Sequence, residues 1–389
     1  MKENKLKVGI ITFHRGDNYG AVLQTAALRA KAAEYAGDAR VIDYRCSAIE
    51  DFYKGNYFPR PKKNILLWMK QVINWRKKDK TFKEKKEKFE KFRELFNMSE
   101  SVSGDSDRSR VESEYDVILT GSDQIWNERI TKGFDPFYCF VRCGSNKSLV
   151  LASYAASLGS VSSFENCSGK YREAIMAYDY VSVRESDALE YLREKYRDDV
   201  CKTIDPTLLV EPDFWSTMAP GTQRKKYLFY YDVAKNDTAK GIALKLAKEN
   251  KLELIHFCDD IMPCRKRKLV TDAGPVDFLN LIRSAEMVVT SSFHATVFSI
   301  VFKKRFVTVA HPVTGSRVRT LLGDVGLEEC LYNGDLEKNM SFRPDYEKVF
   351  SKLSLLRKSS EAYLEKVFKD AENRKNNSGY SGKLTEEKC

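Results

Sequence analysis

The sequence predicts an α/β protein made of two parallel-sheet units in succession. Three observations carry that prediction. The chain opens as strand, loop, helix and strand, the pattern of a βαβ unit. The same alternation resumes after a break near residue 221. At 389 residues, with 42% hydrophobic and 12% aromatic residues, the chain exceeds one ordinary core and has apolar material for two.

The elements follow in order. Lys7–Phe13 (KVGIITF) is a short apolar run with β-branched residues, then a turn, then a helical pattern over 21–36. Ala39–Asp43 (ARVID) is the next strand. Residues 60–98 break the rhythm: Ile65, Leu66, Met69, Val72, Ile73 and Trp75 share a helical face that Phe82, Phe89, Phe92 and Phe96 continue. This segment reads as one or two basic amphipathic helices inserted in the first unit. Ser99–Ser109 reads as a polar loop. Strands are expected at 115–120, 148–154 and 180–183, and helices at 170–176 and 186–196, the latter capped by Ser186 or Asp187. Gly221–Lys226 reads as a linker. Strands at 226–232, 252–257, 287–290 and 305–309 then alternate with helices at 238–249, 276–285, 294–302 and 317–325. The expected organisation is a first domain over 1–220 with its insertion at about 60–98, and a second over 221–345. A C-terminal helix over 346–372 and a disordered tail over 373–389 complete it.

Charge narrows the partners. The net charge is +11, most of it in residues 59–93. Such a surface suits a phosphorylated metabolite, an acidic glycan, anionic lipid or nucleic acid. No nucleic-acid motif accompanies the charge, so that partner is not expected. The basic helices read as a solvated face with their apolar stripe packed inward; a peripheral membrane contact is the alternative. Nine scattered cysteines without a CxxC pair, and four histidines, give no metal-ligand spacing. No metal is expected, and reduced thiols in a cytoplasm are. The N-terminus lacks the long apolar stretch of a signal peptide, and no run of about 18 apolar residues offers a membrane span.

Ligands of open α/β sheets bind at the carboxyl ends of strands. Five such ends carry small or polar residues here: Asn18-Tyr19-Gly20, Gly121-Ser122-Asp123, Ala156-Ser157, Arg184-Glu185 and Ser291-Ser292-Phe293-His294. Together they suggest a cleft lined from both units. The first loop, Gly16–Gln24, opens a helix whose amides attract anions, with glycine allowing close approach. His294 follows a strand and opens a helix, where an imidazole can move protons near neutrality. Arg184 at a strand end is either an anion holder or the partner of Glu185. Arg317, at a helix start, is either a bidentate partner for carboxylate or phosphate or a solvated residue.

Five segments in order resemble the polysaccharide pyruvyl transferase family: KVGIITFHRGDNYGAVLQTAAL, YDVILTGSDQIWN, SVRESDALEYL, DPTLLV and AEMVVTSSFHATVFSIVFKKRFVTV. The likeness runs from about residue 7 to 330. It implies two Rossmann-like domains in a GT-B-like arrangement around a cleft. It implies a cytoplasmic enzyme that takes the pyruvyl group of phosphoenolpyruvate to a sugar or lipid-linked saccharide acceptor as a ketal, without a cofactor. It implies His294 as general acid/base and Arg184 as donor holder; Ser292, Asn18, Gly20, Gly121, Ser122 and Asp123 are expected beside the substrates from their place at strand ends. Where many members carry Arg-Phe-His-Gly, this chain has Ser292-Phe293-His294-Ala295, so one donor-binding charge is either missing or supplied by Arg317, Lys303 or Lys304. Where many carry Gly-Asp after the first-loop asparagine, it has Gly20-Ala21. A nucleotide-sugar glycosyltransferase and an inactive glycan-binding protein are the competing readings.

Overall fold

A computed structural model describes residues 5–53, 65–144, 146–166, 169–221, 226–233, 236–257, 268–311 and 315–386. The first seven strands are β1 (Lys7–Ile11), β2 (Asp38–Tyr44), β3 (Met98–Val102), β4 (Val117–Asp123), β5 (Val150–Ala156), β6 (Ser182–Val183) and β7 (Cys201–Lys202). They form one sheet in the order β3-β2-β1-β4-β5-β6-β7. A second sheet holds β8 (Tyr227–Tyr231), β9 (Glu253–Phe257), β10 (Lys268–Val270), β11 (Met287–Thr290) and β12 (Arg305–Thr308). Its order is β10-β9-β8-β11-β12.

Every pairing in both sheets is parallel. Central strands of a sheet covered on both faces should be buried along their whole length, and two of them are. Val117–Asp123 and Val150–Ala156 are buried at every position. The strand order reverses between β1 and β4 in one sheet and between β8 and β11 in the other. Each reversal opens a crevice at the strands' carboxyl ends.

One apolar cluster runs through both domains. It joins Val22, Leu23 and Phe89 of the first to Phe278, Val297 and Phe298 of the second. Tyr19 pins the junction: its hydroxyl donates to the Ala273 carbonyl at 2.8 Å, and its ring stacks on Phe278 at 5.1 Å. Burying one such aromatic is worth about 1.5–3 kcal/mol.

The insertion is a single helix, Ile65–Arg93, followed by a short 3-10 turn at Glu94–Phe96. Residues 60–64 of the expected insertion lie outside the described residues, as does most of the expected linker at 221–226. Arg93 ends the helix deep in the protein. It donates to the carbonyls of His14, Arg15 and Gly16 and to Asp17, so the insertion holds the first loop in shape. Lys88 crosses to Asp277 of the second domain at 2.9 Å.

Two expectations change. The polar loop at 99–109 contains most of β3 and the start of helix Asp105–Glu114. β3 is an edge strand of polar composition, held by its ladder to β2 and by Ser99 accepting from the Asp43 amide, so no alternating pattern marks it. β10 is likewise a short edge strand. The final helix spans Tyr346–Glu386, so residues 373–386 continue it instead of forming a disordered tail. Its extension is anchored by Arg374 on Asp179 at 3.0 Å and by Lys375 on Asp116 at 2.8 Å. The same helix returns to the first sheet, where Tyr363 donates to the Ser153 carbonyl at 2.7 Å.

Candidate active site

The strands beside the two reversals supply the site. Residues at or just beyond the carboxyl ends of β1, β4, β8 and β11 line one open cleft of about 490 Å³ between the domains, among them Asn18, Asp123, Tyr231, Ser292 and His294. Arg317, Arg129, Lys132 and His311 line it too.

His294 is placed by local sequence. β11 ends at Thr290, and Ser292 caps the helix Phe293–Val301, its hydroxyl accepting from the Ala295 amide at 3.4 Å. The imidazole therefore stands in the first turn of that helix. Its two faces meet the other domain. Nε2 lies 3.6 Å from Oδ2 of Asp205. It is sealed from solvent and has no closer hydrogen-bond partner. On the other side, a Cβ added at Gly20 would stand 2.0 Å from Nδ1. The glycine is required because an imidazole occupies the space of its missing side chain. Gly20 thus serves the histidine directly, where the sequence suggested anion approach.

Asp205 is the residue that sequence reasoning did not single out. It caps the short helix Pro206–Leu209 through the Thr207 amide. Its other oxygen accepts from Arg184 and faces His294. Burial opposes its charge, yet His294 and Arg184 outweigh burial and hold its carboxyl well below the ordinary carboxylate range. The Asp-Pro pair at 205–206, a helix-start signal inside one of the family-like segments, was the available clue.

Arg184 sits behind the cleft and not in its lining. Its side chain is 2% exposed. It bonds Asp205 and Glu185 and lies 4.7 Å above the Phe293 ring. Burial would lower its pKa, but Glu185, Asp205 and Asp123 reverse that and raise it. Both readings of Arg184 were open in the sequence; the ion-pair reading describes its place. Glu185 is pushed up by burial, against Arg184 and Arg317.

Arg317 lines the cleft beside Phe293, 5.8 Å from that ring. Its pKa is lowered, first by burial and then by Arg184. An anion arriving beside it would relieve that repulsion. Lys303 and Lys304 do not replace the family arginine. They follow the far end of the helix Phe293–Val301, where Lys304 donates to the Ala285 carbonyl at 3.0 Å and Lys303 lies over Phe350.

The remaining expected residues divide. Asn18 caps the first helix through the Ala21 amide at 3.1 Å and stands in the cleft lining with Asp123 and Ser292. Gly121 and Ser122 lie within β4, below the cleft. A Cβ on Gly121 would meet the Tyr154 carbonyl at 2.2 Å, and the fully buried Ser122 donates to the Ala155 carbonyl. Among the described residues, no group of three or more His, Cys, Asp or Glu side chains is arranged to hold a metal ion. No described helix is long and apolar enough to cross a membrane.

Solved structures resemble the whole chain. UDP-N-acetylglucosamine 2-epimerase from Rickettsia bellii aligns with a TM-score of 0.51 at 11% identity, over 94% of this chain and 98% of that one. The MnaA–UDP co-structure from S. aureus aligns at 0.50 and 12% identity, over 94% and 90%. At that identity the likeness is one of fold, two Rossmann-like domains in a GT-B-like arrangement around a cleft. A search of curated proteins gives no match. The family model for polysaccharide pyruvyl transferase matches residues 18–312, a span that includes His294, Asp205, Arg184 and Gly20. The chain therefore belongs to the polysaccharide pyruvyl transferase family and is a transferase.

Proposed function

We propose that the chain transfers the pyruvyl group of phosphoenolpyruvate to two hydroxyls of a sugar in a cell-surface or exopolysaccharide precursor, forming a ketal. The observation that carries this reading is the His294 imidazole at the interdomain cleft, backed by the buried Asp205 carboxylate at 3.6 Å. The Asp205 carboxylate faces Nε2 at 3.6 Å and Gly20 packs against Nδ1, which together fix the position of the ring that exchanges a proton with the ligand. Arg317, with the amides of the first turns at Asn18 and Ser292, meets the anionic donor.

The steps balance. The imidazolium gives a proton to the methylene carbon of the enol, and positive charge develops at the adjacent carbon. A sugar hydroxyl attacks there, and its proton returns to the imidazole. The C–O bond to phosphate breaks with a proton supplied to the leaving group, and the second hydroxyl closes the ketal. One hydroxyl proton ends on the new methyl and the other on phosphate. No cofactor enters this balance. A cytoplasmic setting suits the donor, a central metabolite.

The test is phosphate release by purified protein from phosphoenolpyruvate with candidate saccharides, with nucleotide sugars as parallel donors. His294→Ala is expected to lose turnover by about 10²–10⁴-fold while its circular dichroism stays native. Turnover at the parent rate in the folded variant removes His294 from the mechanism. Glycosyl transfer from a nucleotide sugar, with no phosphoenolpyruvate use, replaces the donor.

A further inference from the structure

We infer that the outward face of the inserted helix Ile65–Arg93 docks on an anionic membrane surface. Eleven Lys or Arg and four Asp or Glu fall within these 29 residues, a net +7 of the chain's +11. The helix has two distinct faces. Phe89, Phe92 and Arg93 are buried against the protein, and Lys85 lies over the Tyr19 ring at 5.0 Å. Met69, Ile73, Arg76, Lys80 and Lys83 recur at spacings of four and three, which makes one stripe. Arg76 and Lys85, Lys80 and Phe89, and Lys83 and Phe92 are each nine residues apart. Nine residues at 3.6 per turn make two and a half turns, so each pair points in opposite directions.

The stripe therefore faces away from the domain, and its exposure agrees. Met69 is 50% and Ile73 52% exposed. The Lys80 and Lys83 side chains are 79% and 69% exposed. Apolar residues at one end of a stripe and cations along the rest fit a bilayer interface: the cations meet anionic headgroups, and Met69 and Ile73 enter the boundary. A solvated helix would not need two neighbouring half-exposed aliphatic residues on its outermost line. A lipid-carried acceptor would then reach the cleft from the same surface the enzyme rests on. That last step rests on the transfer reading above; the docking does not.

The experiment is co-sedimentation of the full chain with vesicles of phosphatidylcholine alone and with about 30 mol% phosphatidylserine. Partition into the anionic vesicles only, weakened by added salt, is expected. The triple variant Arg76→Gln, Lys80→Gln, Lys83→Gln should lose about a hundredfold in partition, at roughly fivefold per charge. Met69→Ser with Ile73→Ser should weaken binding while leaving its salt dependence. Turnover on a water-soluble acceptor stays at the parent level in both, because none of these residues lines the cleft; the vesicle readout needs no turnover. Equal binding to both vesicles, no binding to either, or a triple variant that partitions like the parent overturns the inference. So does tight binding to duplex DNA with none to vesicles.

Discussion

Gly20→Ala is the smallest change that reaches the reaction centre. A methyl placed there would stand 2.0 Å from Nδ1 of His294, 2.5 Å from Cε1 and 2.6 Å from Cγ. Ordinary contact begins at 3.4 Å, so the ring must retreat by about 1.4 Å from Nδ1. The ring has little room, because its Nε2 side is enclosed and faces Asp205. Either the imidazole leaves Asp205 or the domains separate slightly. A misplacement of about 1 Å at a reacting group can cost about 10²-fold in rate. The expected result is a fall in kcat of that order in phosphate release from phosphoenolpyruvate. Stability should change little: overpacking costs about 1–3 kcal/mol, and alanine recovers about 1 kcal/mol over glycine within the helix Tyr19–Tyr35. A melting temperature within a few degrees of the parent alongside the rate loss is the signature. Parent-level kcat in a folded Gly20→Ala variant would refute the reasoning, because it would show that the ring's position is not what turnover depends on.

Other expectations follow from the same geometry. Asp205→Asn keeps the shape but removes the charge facing Nε2; kcat should fall by about 10²-fold or more while the circular dichroism stays native. Parent-level kcat in the folded variant would make Asp205 a structural residue only. Arg317→Ala should raise KM for phosphoenolpyruvate more than it lowers kcat, read from initial rates, with Arg317→Lys recovering part of the loss. Asp43, bonded by His14, Arg15 and Ser101, is held below its ordinary range against the opposing effect of burial. Its folded pKa is depressed, so its contribution is complete above the unfolded value near 3.9 and is lost as pH falls below it. Thermal melts should therefore drop progressively as pH falls from about 4 to 2 and below, and Asp43→Asn should flatten that slope.

The sequence made strands legible where both faces are buried. The apolar runs at 115–120 and 287–290 fall on β4 and β11, because a covered parallel strand has no reason to alternate. It failed at β3 and β10, edge strands whose ladders, and not their side chains, define them. His294 was legible because a strand end, a serine cap and a helix start are local signals. Asp205 was not, since its role depends on a contact across 89 positions and between domains. Arg184 was located but not oriented: a strand-end arginine followed by glutamate reads alike whether it faces a ligand or a buried carboxylate.

The pairing of His294 with Asp205 has a structural consequence. The imidazole belongs to the second domain, while Asp205, Arg184 and Gly20 belong to the part of the chain that carries the first sheet. Neither half alone contains an oriented acid/base group. Were the halves to separate, Asp205 would keep its Arg184 partner, whereas the histidine would lose both its carboxylate and the wall at Gly20. Breaking a buried pair by removing one partner costs about 3–5 kcal/mol, so Arg184 is what lets Asp205 stay charged while the histidine is away. The contacts that bring the domains together are therefore part of the site: Tyr19 on Ala273, Lys88 on Asp277 and Lys202 on Asp324. They assemble the proton-transfer group around the cleft in which the substrates must meet. On the proposed reaction, an arrangement of this kind would limit protonation of the enol to the state in which the cleft has formed.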